Sequence, residues 1–502
     1  MKANRILTFI AFTLLALASA QSLPKLTPPG AVGGLYTRNL AVKKALLVNF
    51  QAEWNRLGIG QMFSDLFKDA EGDNGDVKKV EKLLSTDLVG REGIVVFYPN
   101  GSFFVMARPS AERASEIIKL VRESFKNPKQ MKGWLIEESP QEDLPTPVIV
   151  GVSSDALLIA SKDVADRFFK GDRGLNMPIT GDFAFWLEAE PLWVYLDDPN
   201  LGLPPEAVTA IETFKGFDYA ANLELDGIHS SGSACFDPSK DANLAAIFLP
   251  QAAAWPLGDL PAGVSATSGT LDLPLLGKYL THWAKLLGQD MEIDLSAFGQ
   301  RYALVDAGTP DPQQALQNPF GNLLLLLEAK DSLTAEVTLL SWLQMAAAFS
   351  TPEGQGGFSV EPVTIAGHEG KKVSIGMAGD LYLVSLEDRL ALATSKKAID
   401  LLQAPPLKND PGFAKLAAML PRAYVSASYG NYQTTLKQAA QLLPLMMMQT
   451  IDDAETQAMM SKLSTKLSKF FDFVAGRFGG SISYDVIQGG CVNNISFTQV
   501  NW

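Results

Sequence analysis

One segment occurs twice, and that recurrence narrows what this chain can fold into. Residues 147–169 read PVIVGVSSDALLIASKDVADRFF, and residues 380–402 read DLYLVSLEDRLALATSKKAIDLL. Each copy has two short apolar β-rich runs around a polar turn, followed by a helical pattern. In the first copy the runs are 148–152 and 156–160, flanking Ser153-Ser154-Asp155; in the second they are 381–386 and 390–393, flanking Glu387-Asp388. Aligning Asp155 with Asp388 brings the strands into register, whereas aligning Ser161 with Ser395 needs a shift of one. Apolar spacing persists while the polar residues change. A buried strand face specifies register most strictly, so the segment reads as a folding unit rather than a site.

The likeness extends outward from this unit. A helical pattern places Val42, Leu46, Phe50, Trp54 and Leu57 on one face and ends at Gly58; another, capped by Asp272, finishes as WAKLLG at 283–288. Next in the first half comes a hairpin around Pro99-Asn100-Gly101-Ser102, then a helix over about 111–125. The second half offers RYALVDA from Arg301, the leucine run 323–327, which reads as a strand covered on both faces, and a helix capped by Asp331. Further strands and a long amphipathic helix over 453–475 complete the chain. The expected fold class is α+β, with two tandem related domains, each a mostly antiparallel sheet packed with helices. The divisions are a signal peptide at 1–20, a proline-rich lead-in at 21–30, a first repeat at 31–252 and a second at 253–502, the boundary falling among the prolines of 250–261. Long helices in both halves argue against a membrane barrel, which is built from consecutive strands.

The first twenty residues combine Lys2 and Arg5, an apolar run from Ile6 to Leu17 and small residues before Gln21, the pattern of a cleaved secretory signal. No later stretch has the roughly 20 apolar residues that span a bilayer. An exported protein, periplasmic or extracellular and soluble after cleavage, is expected. The chain carries a net charge of −13, and cleavage removes two cations and no acid, leaving −15. Such a surface repels nucleic acid. Cys235 and Cys491 are the chain's two cysteines and lie near the ends of the two repeats. In an oxidising compartment a bond between them would tie the halves together; two buried thiols are the alternative.

Local motifs for catalysis are missing. The three histidines, His229, His282 and His368, are not at metal-ligand spacing, and neither a G-x-S-x-G elbow nor an H-E-x-x-H or Walker pattern occurs. The most suggestive segment for a ligand is 69–76, where Asp69, Glu71 and Asp73 alternate before Asn74-Gly75, as the oxygen ligands of a calcium loop do. The glycine comes one residue late, and Glu81 stands one residue past the place of the bidentate ligand. A solvated acidic loop is the simpler reading, so no cofactor is expected unless it is calcium here. The pairs Glu137-Glu138 and Asp197-Asp198 read as solvated turns. Met446, Met447 and Met448, with Met459 and Met460, would suit copper or an apolar ligand, but filling of a core irregularity at Pro444, where a helix should break or kink, explains them more simply. Trp186 and Trp193 are core or stacking residues.

On the duplicated hairpin-helix units, the paired tryptophan helices and Leu260-Pro261-Ala262-Gly263, the chain resembles exported bacterial proteins of uncharacterised families with a duplicated sheet-plus-helix domain. The resemblance implies the cell envelope and carries no functional residues. The expected function is non-catalytic binding or structural work in the envelope, holding an apolar small molecule or a partner protein of the envelope. An exported hydrolase with a site assembled from distant residues is the alternative.

Overall fold

The computed structural model describes residues 22–38, 44–59, 92–108, 114–139, 146–178, 180–196, 202–308, 321–350, 358–375, 379–448 and 454–502. Among these, ten strands come from the first half: β1 (Gly33–Thr37), β2 (Glu92–Phe97), β3 (Phe103–Arg108), β4 (Lys129–Met131), β5 (Trp134–Ser139), β6 (Val148–Val152), β7 (Leu157–Ser161), β8 (Phe183–Glu188), β9 (Phe214–Glu224) and β10 (Gly227–Phe236). Ten come from the second: β11 (Ser265–Thr270), β12 (Phe298–Asp306), β13 (Leu323–Ala329), β14 (Phe358–Ile365), β15 (His368–Ile375), β16 (Gly379–Ser385), β17 (Arg389–Ala393), β18 (Ser426–Asn431), β19 (Phe478–Gln488) and β20 (Cys491–Val500).

All pairings are antiparallel. The first ten strands run in the order β4-β5-β6-β7-β3-β2-β1-β8-β9-β10. From β10 the order continues β20-β19-β18-β11-β12-β13-β17-β16-β15-β14. Each of the first ten strands thus has a counterpart ten numbers higher, and the two series meet at their last strands. Two separate sheets were expected; one sheet runs through both halves instead. The physical reason lies in the edges. Strands β10 and β20 would each present an unpaired ladder, and pairing them satisfies both. The outer edges fall on β4 and β14, so the described sheet does not close into a barrel. β4 is three residues long and begins with Lys129, and β14 carries Glu361 and Pro362, features that discourage further strand pairing.

The helices are α1 (Lys44–Leu57), α2 (Ala114–Ser124), α3 (Lys162–Lys170), α4 (Pro205–Glu212), α5 (Ala242–Phe248), α6 (Leu273–Leu286), α7 (Ser332–Ser350), α8 (Lys396–Ile399), α9 (Pro411–Leu416), α10 (Tyr432–Met448) and α11 (Ala454–Ala475). One face of the sheet carries the two main cores. In the first half Phe104, Met106 and Leu158 pack under Leu23 of the lead-in and Phe168 of α3. In the second, Leu324, Leu326 and Ala391 pack under Leu257, Leu407 and Phe413. The opposite face takes α2, whose Ile118 meets Ala107 and Leu157, and α7, whose Ala335 meets Leu383 and Leu390. Helix α3 stops at Gly171, whose positive φ of 98° lets the chain turn back while its N–H bonds to Phe168 O. Asp272 caps α6 by accepting from Leu275 N, and Asp331 caps α7 by accepting from Leu333 N and Thr334 N.

Two local expectations change. The leucine run of β13 buries Leu324 and Leu326 but leaves Leu323, Leu325 and Leu327 half-buried, so one face is sealed and the other only partly covered. Helix α10 continues four residues past Pro444, a position near the helix end where one lost backbone bond costs less than a full break. The turn near His368 is Ala366-Gly367, both at positive φ, and His368 begins β15 opposite Ile365. No helix of the described residues is long and apolar enough to cross a membrane.

Among the described residues, a disulfide and a helix contact reinforce the β10–β20 ladder that joins the halves. Cys235 lies directly opposite Cys491 across β10 and β20, and their sulfurs are bonded, 2.04 Å apart. Helix α1 packs on α11 through Trp54 against Phe470, 5.2 Å between ring centroids, and Phe50 against Phe473, 5.9 Å, with Leu57 and Leu463 buried between them.

Candidate functional site

Asp69, Glu71 and Asp73, the signal segment and Asp197-Asp198 lie outside the described residues. Among those described, no group of three His, Cys, Asp or Glu side chains is placed to hold a metal ion. Glu137 is not simply solvated: its carboxylate accepts from Lys126 N and Asn127 N and closes the turn after α2. Trp186 is a core residue of β8. Trp193 is half-buried beneath the ammonium of Lys240, 5.1 Å from its ring. Met460 packs with the α1–α11 contact. His229 lies 3.0 Å from Asp226 at the rim of β10, with Phe497 beside its ring.

The sheet displays something the sequence reading did not single out. On the face opposite the main core, one row crosses five neighbouring strands: Val105, Val95, Leu35, Phe185 and Tyr219, each directly opposite the next. Val105 is buried, but Leu35 is 37% exposed, Phe185 40% and Tyr219 38%. Phe97 and Phe183, exposed as well, flank the row. Counting from the first paired residues of β1 and β11, Gly33 and Ser265, the corresponding row in the second half is Leu325, Leu304, Thr267, Ser428 and Ser483. There the apolar trio gives way to hydroxyls, and Thr267 Oγ1 lies 2.8 Å from Ser428 Oγ.

A second correspondence concerns charge. Four residues before Val96 on β2 stands Glu92, and four after its partner Phe104 stands Arg108; the same steps from the pair Val305 and Leu324 lead to Arg301 and Glu328. The signs are reversed. Glu92 and Arg108 are 4% and 6% exposed and 3.7 Å apart. Glu92 Oε1 also accepts from Leu23 N and the Tyr36 hydroxyl, both at 2.9 Å. Burial first, and the Glu92 charge second, push the Tyr36 hydroxyl well above its ordinary value.

In the second half the pair is open to a cleft of about 650 Å³ between the start of α6, β12 and the end of β13. Arg301 holds Glu328 through Nε at 2.9 Å and a second guanidinium nitrogen, while Gln300 N and Arg301 N donate to Glu328 Oε2 at 2.8 and 3.0 Å. Burial raises the Glu328 carboxyl, but the Arg301 side chain and these two N–H groups outweigh it and hold it below the usual glutamate range. The Arg301 guanidinium stacks 5.4 Å from the centre of the Trp255 ring, and Arg389 lies 5.0 Å from it. Gly299 permits this arrangement, because a Cβ there would strike the Glu328 carboxylate.

No family model and no curated protein matches the chain. Among solved structures, crystal form I of TP0453 is similar at 13% identity and a TM-score of 0.23, over 44% of this chain and 80% of that one. Forms III and IV give 13% and 12% identity with TM-scores of 0.21 and 0.22, over 43% and 46% of this chain and 80% and 86% of those. At such TM-scores the likeness assigns no function.

Proposed function

We propose that this is an exported, non-catalytic binding protein of the cell envelope, similar to uncharacterised exported families with a duplicated sheet-plus-helix domain, and built as two related sheet-and-helix domains, 31–252 and 253–502, joined edge to edge. Its binding face is the apolar row of the first domain, and its ligand is a partner protein. The observation that carries this reading is the contrast between Leu35, Phe185 and Tyr219 and their counterparts Thr267, Ser428 and Ser483. Hydroxyls are compatible with the same strand order in the second domain, so folding alone does not demand exposed aromatics in the first. Contiguous exposed apolar surface of this kind marks interaction sites, and aromatic side chains are enriched there. The row lies on an open sheet face, which suits a protein surface better than a small apolar molecule that needs enclosure. The cleft supports binding over acid catalysis: a general acid needs a raised pKa, and Glu328 is held in the opposite direction.

The test is a photo-crosslinking amino acid placed at Phe185 and, separately, at Ser428 in the native host. Adducts to one protein from position 185 and none from position 428 are expected. Equal labelling at both positions, or adducts to lipid alone, would sink the reading. Sequencing the mature N-terminus tests export, with Gln21 expected first.

A further inference from the structure

We propose that the cleft beside α6 in the second half is a binding site for a small dianion, a phosphate monoester or a dicarboxylate, independent of the apolar face. Two acids line the cleft, and all four of their oxygens are already engaged. Asp272 Oδ1 accepts from Leu275 N at 3.0 Å and Oδ2 from Gln300 Nε2 at 2.7 Å. Glu328 Oε1 accepts from Arg301 Nε, and Oε2 from the N–H groups of Gln300 and Arg301. The two lysines are not so engaged. Lys278, from α6, and Lys330, just beyond β13, line the same cleft, and neither forms an ion pair with any described residue.

Each lysine is held by ordered backbone. Lys330 N donates to Ala297 O at 2.8 Å, and Lys278 follows the buried Gly277, which packs against Ile293 O. Two exposed lysines thus line the cleft from separate elements, and Arg301 makes a third cation against two acids. The lining is net positive in a chain whose net charge is −13. A cation would have to compete with the N–H donors already on each carboxylate oxygen. A neutral ligand offers the two exposed lysines no counter-charge, whereas a dianion pairs with both through charge-assisted hydrogen bonds. The cleft volume admits a metabolite-sized molecule.

The experiment is isothermal titration of the full mature chain with inorganic phosphate and, separately, with succinate, at low ionic strength. One-site saturable binding of at least one anion is expected, weakened by about tenfold or more in the Lys278→Ala/Lys330→Ala double variant and kept within about threefold in Lys278→Arg/Lys330→Arg. Phosphate alone would identify a phosphate monoester as the ligand class, and succinate alone a dicarboxylate. Thermal melts of each variant separate lost binding from lost folding. No saturable binding of either anion up to about 10 mM, or binding unchanged in a folded double-alanine variant, overturns the proposal.

Discussion

Place for place, the two halves of the sheet carry opposite solutions. In the first, an acid on β2 and a base on β3 are sealed beneath Leu23; in the second, the base precedes the acid and the pair opens to solvent. On the other face the first half presents Leu35, Phe185 and Tyr219 where the second presents Thr267, Ser428 and Ser483. What both keep is strand order and one buried apolar face. The difference shows which positions the fold leaves free: the strand ends carry a charge pair whose sign is fixed in each half by its own neighbours, and the outer face of β1, β8 and β9 requires only residues that fit a strand.

The largest expected effect comes from breaking the sealed pair. Arg108→Ala leaves Glu92 buried beside two neutral donors and should cost about 3–5 kcal/mol, read as a loss of denaturation midpoint. Arg301→Ala should cost less than about 1 kcal/mol, because its partner is partly hydrated. Equal losses would show that burial does not separate the two pairs. Reversing the first pair, Glu92→Arg with Arg108→Glu, should not restore stability, because Leu23 N and the Tyr36 hydroxyl would then point at a cation.

Next comes the seam. Cys235 and Cys491 close a loop of 256 residues, and a Cys235→Ser/Cys491→Ser variant should lose about 2–4 kcal/mol. The nine-pair ladder between β10 and β20 and the packing of α1 on α11 remain. The variant should therefore still melt in a single transition by calorimetry. Two resolved transitions would mean that the bond, not the shared sheet, couples the halves.

These contrasts were legible in the sequence to different depths. The hairpins were plain: short apolar β-rich runs around the Ser153 to Asp155 turn and around Glu387-Asp388 marked the strands, and the Asp155–Asp388 alignment agrees with the pairing of Phe104 with Ala160 and of Leu324 with Ala393. The joining of β10 to β20 was not, because the choice of partner strand across hundreds of residues leaves no local periodicity. The reversed ion pair was hidden by the irregular register between Phe298 and Tyr302, which must be counted through before Arg301 and Glu328 meet. Leu35 and Phe185 fell within runs apolar on both faces, which look the same whether the outer face is covered or bare. The acids of 69–76 offered spacing alone, and the cleft lysines offered no motif, since α6 and β13 bring them together only in three dimensions.

A smaller effect should follow acidification. The folded-state pKa of Glu328 lies below its unfolded value, so its contribution is complete above the ordinary glutamate range and is lost as pH falls through the folded value. Solvent access keeps that contribution under about 1 kcal/mol. Wild type should therefore lose its advantage over Glu328→Gln as pH drops below the usual glutamate pKa. A constant difference down to the lowest accessible pH would show that the carboxylate charge contributes nothing.

The smallest stability change, and the most informative one, is expected from exchanging corresponding residues on the outer face. Leu35→Thr removes a side chain that already meets solvent and should cost about 1 kcal/mol or less by its limited burial. Thr267→Leu gives up the hydroxyl contact with Ser428 and gains apolar contact with Leu304, its neighbour on β12, for a net change of similar size. Partner binding should respond asymmetrically, falling with Leu35→Thr and staying unchanged with Thr267→Leu. A cost for Leu35→Thr in the range of about 2–5 kcal/mol, typical of cavities made in cores, would mean that Leu35 is there to hold the sheet together. The contrast between the halves would then concern packing rather than recognition.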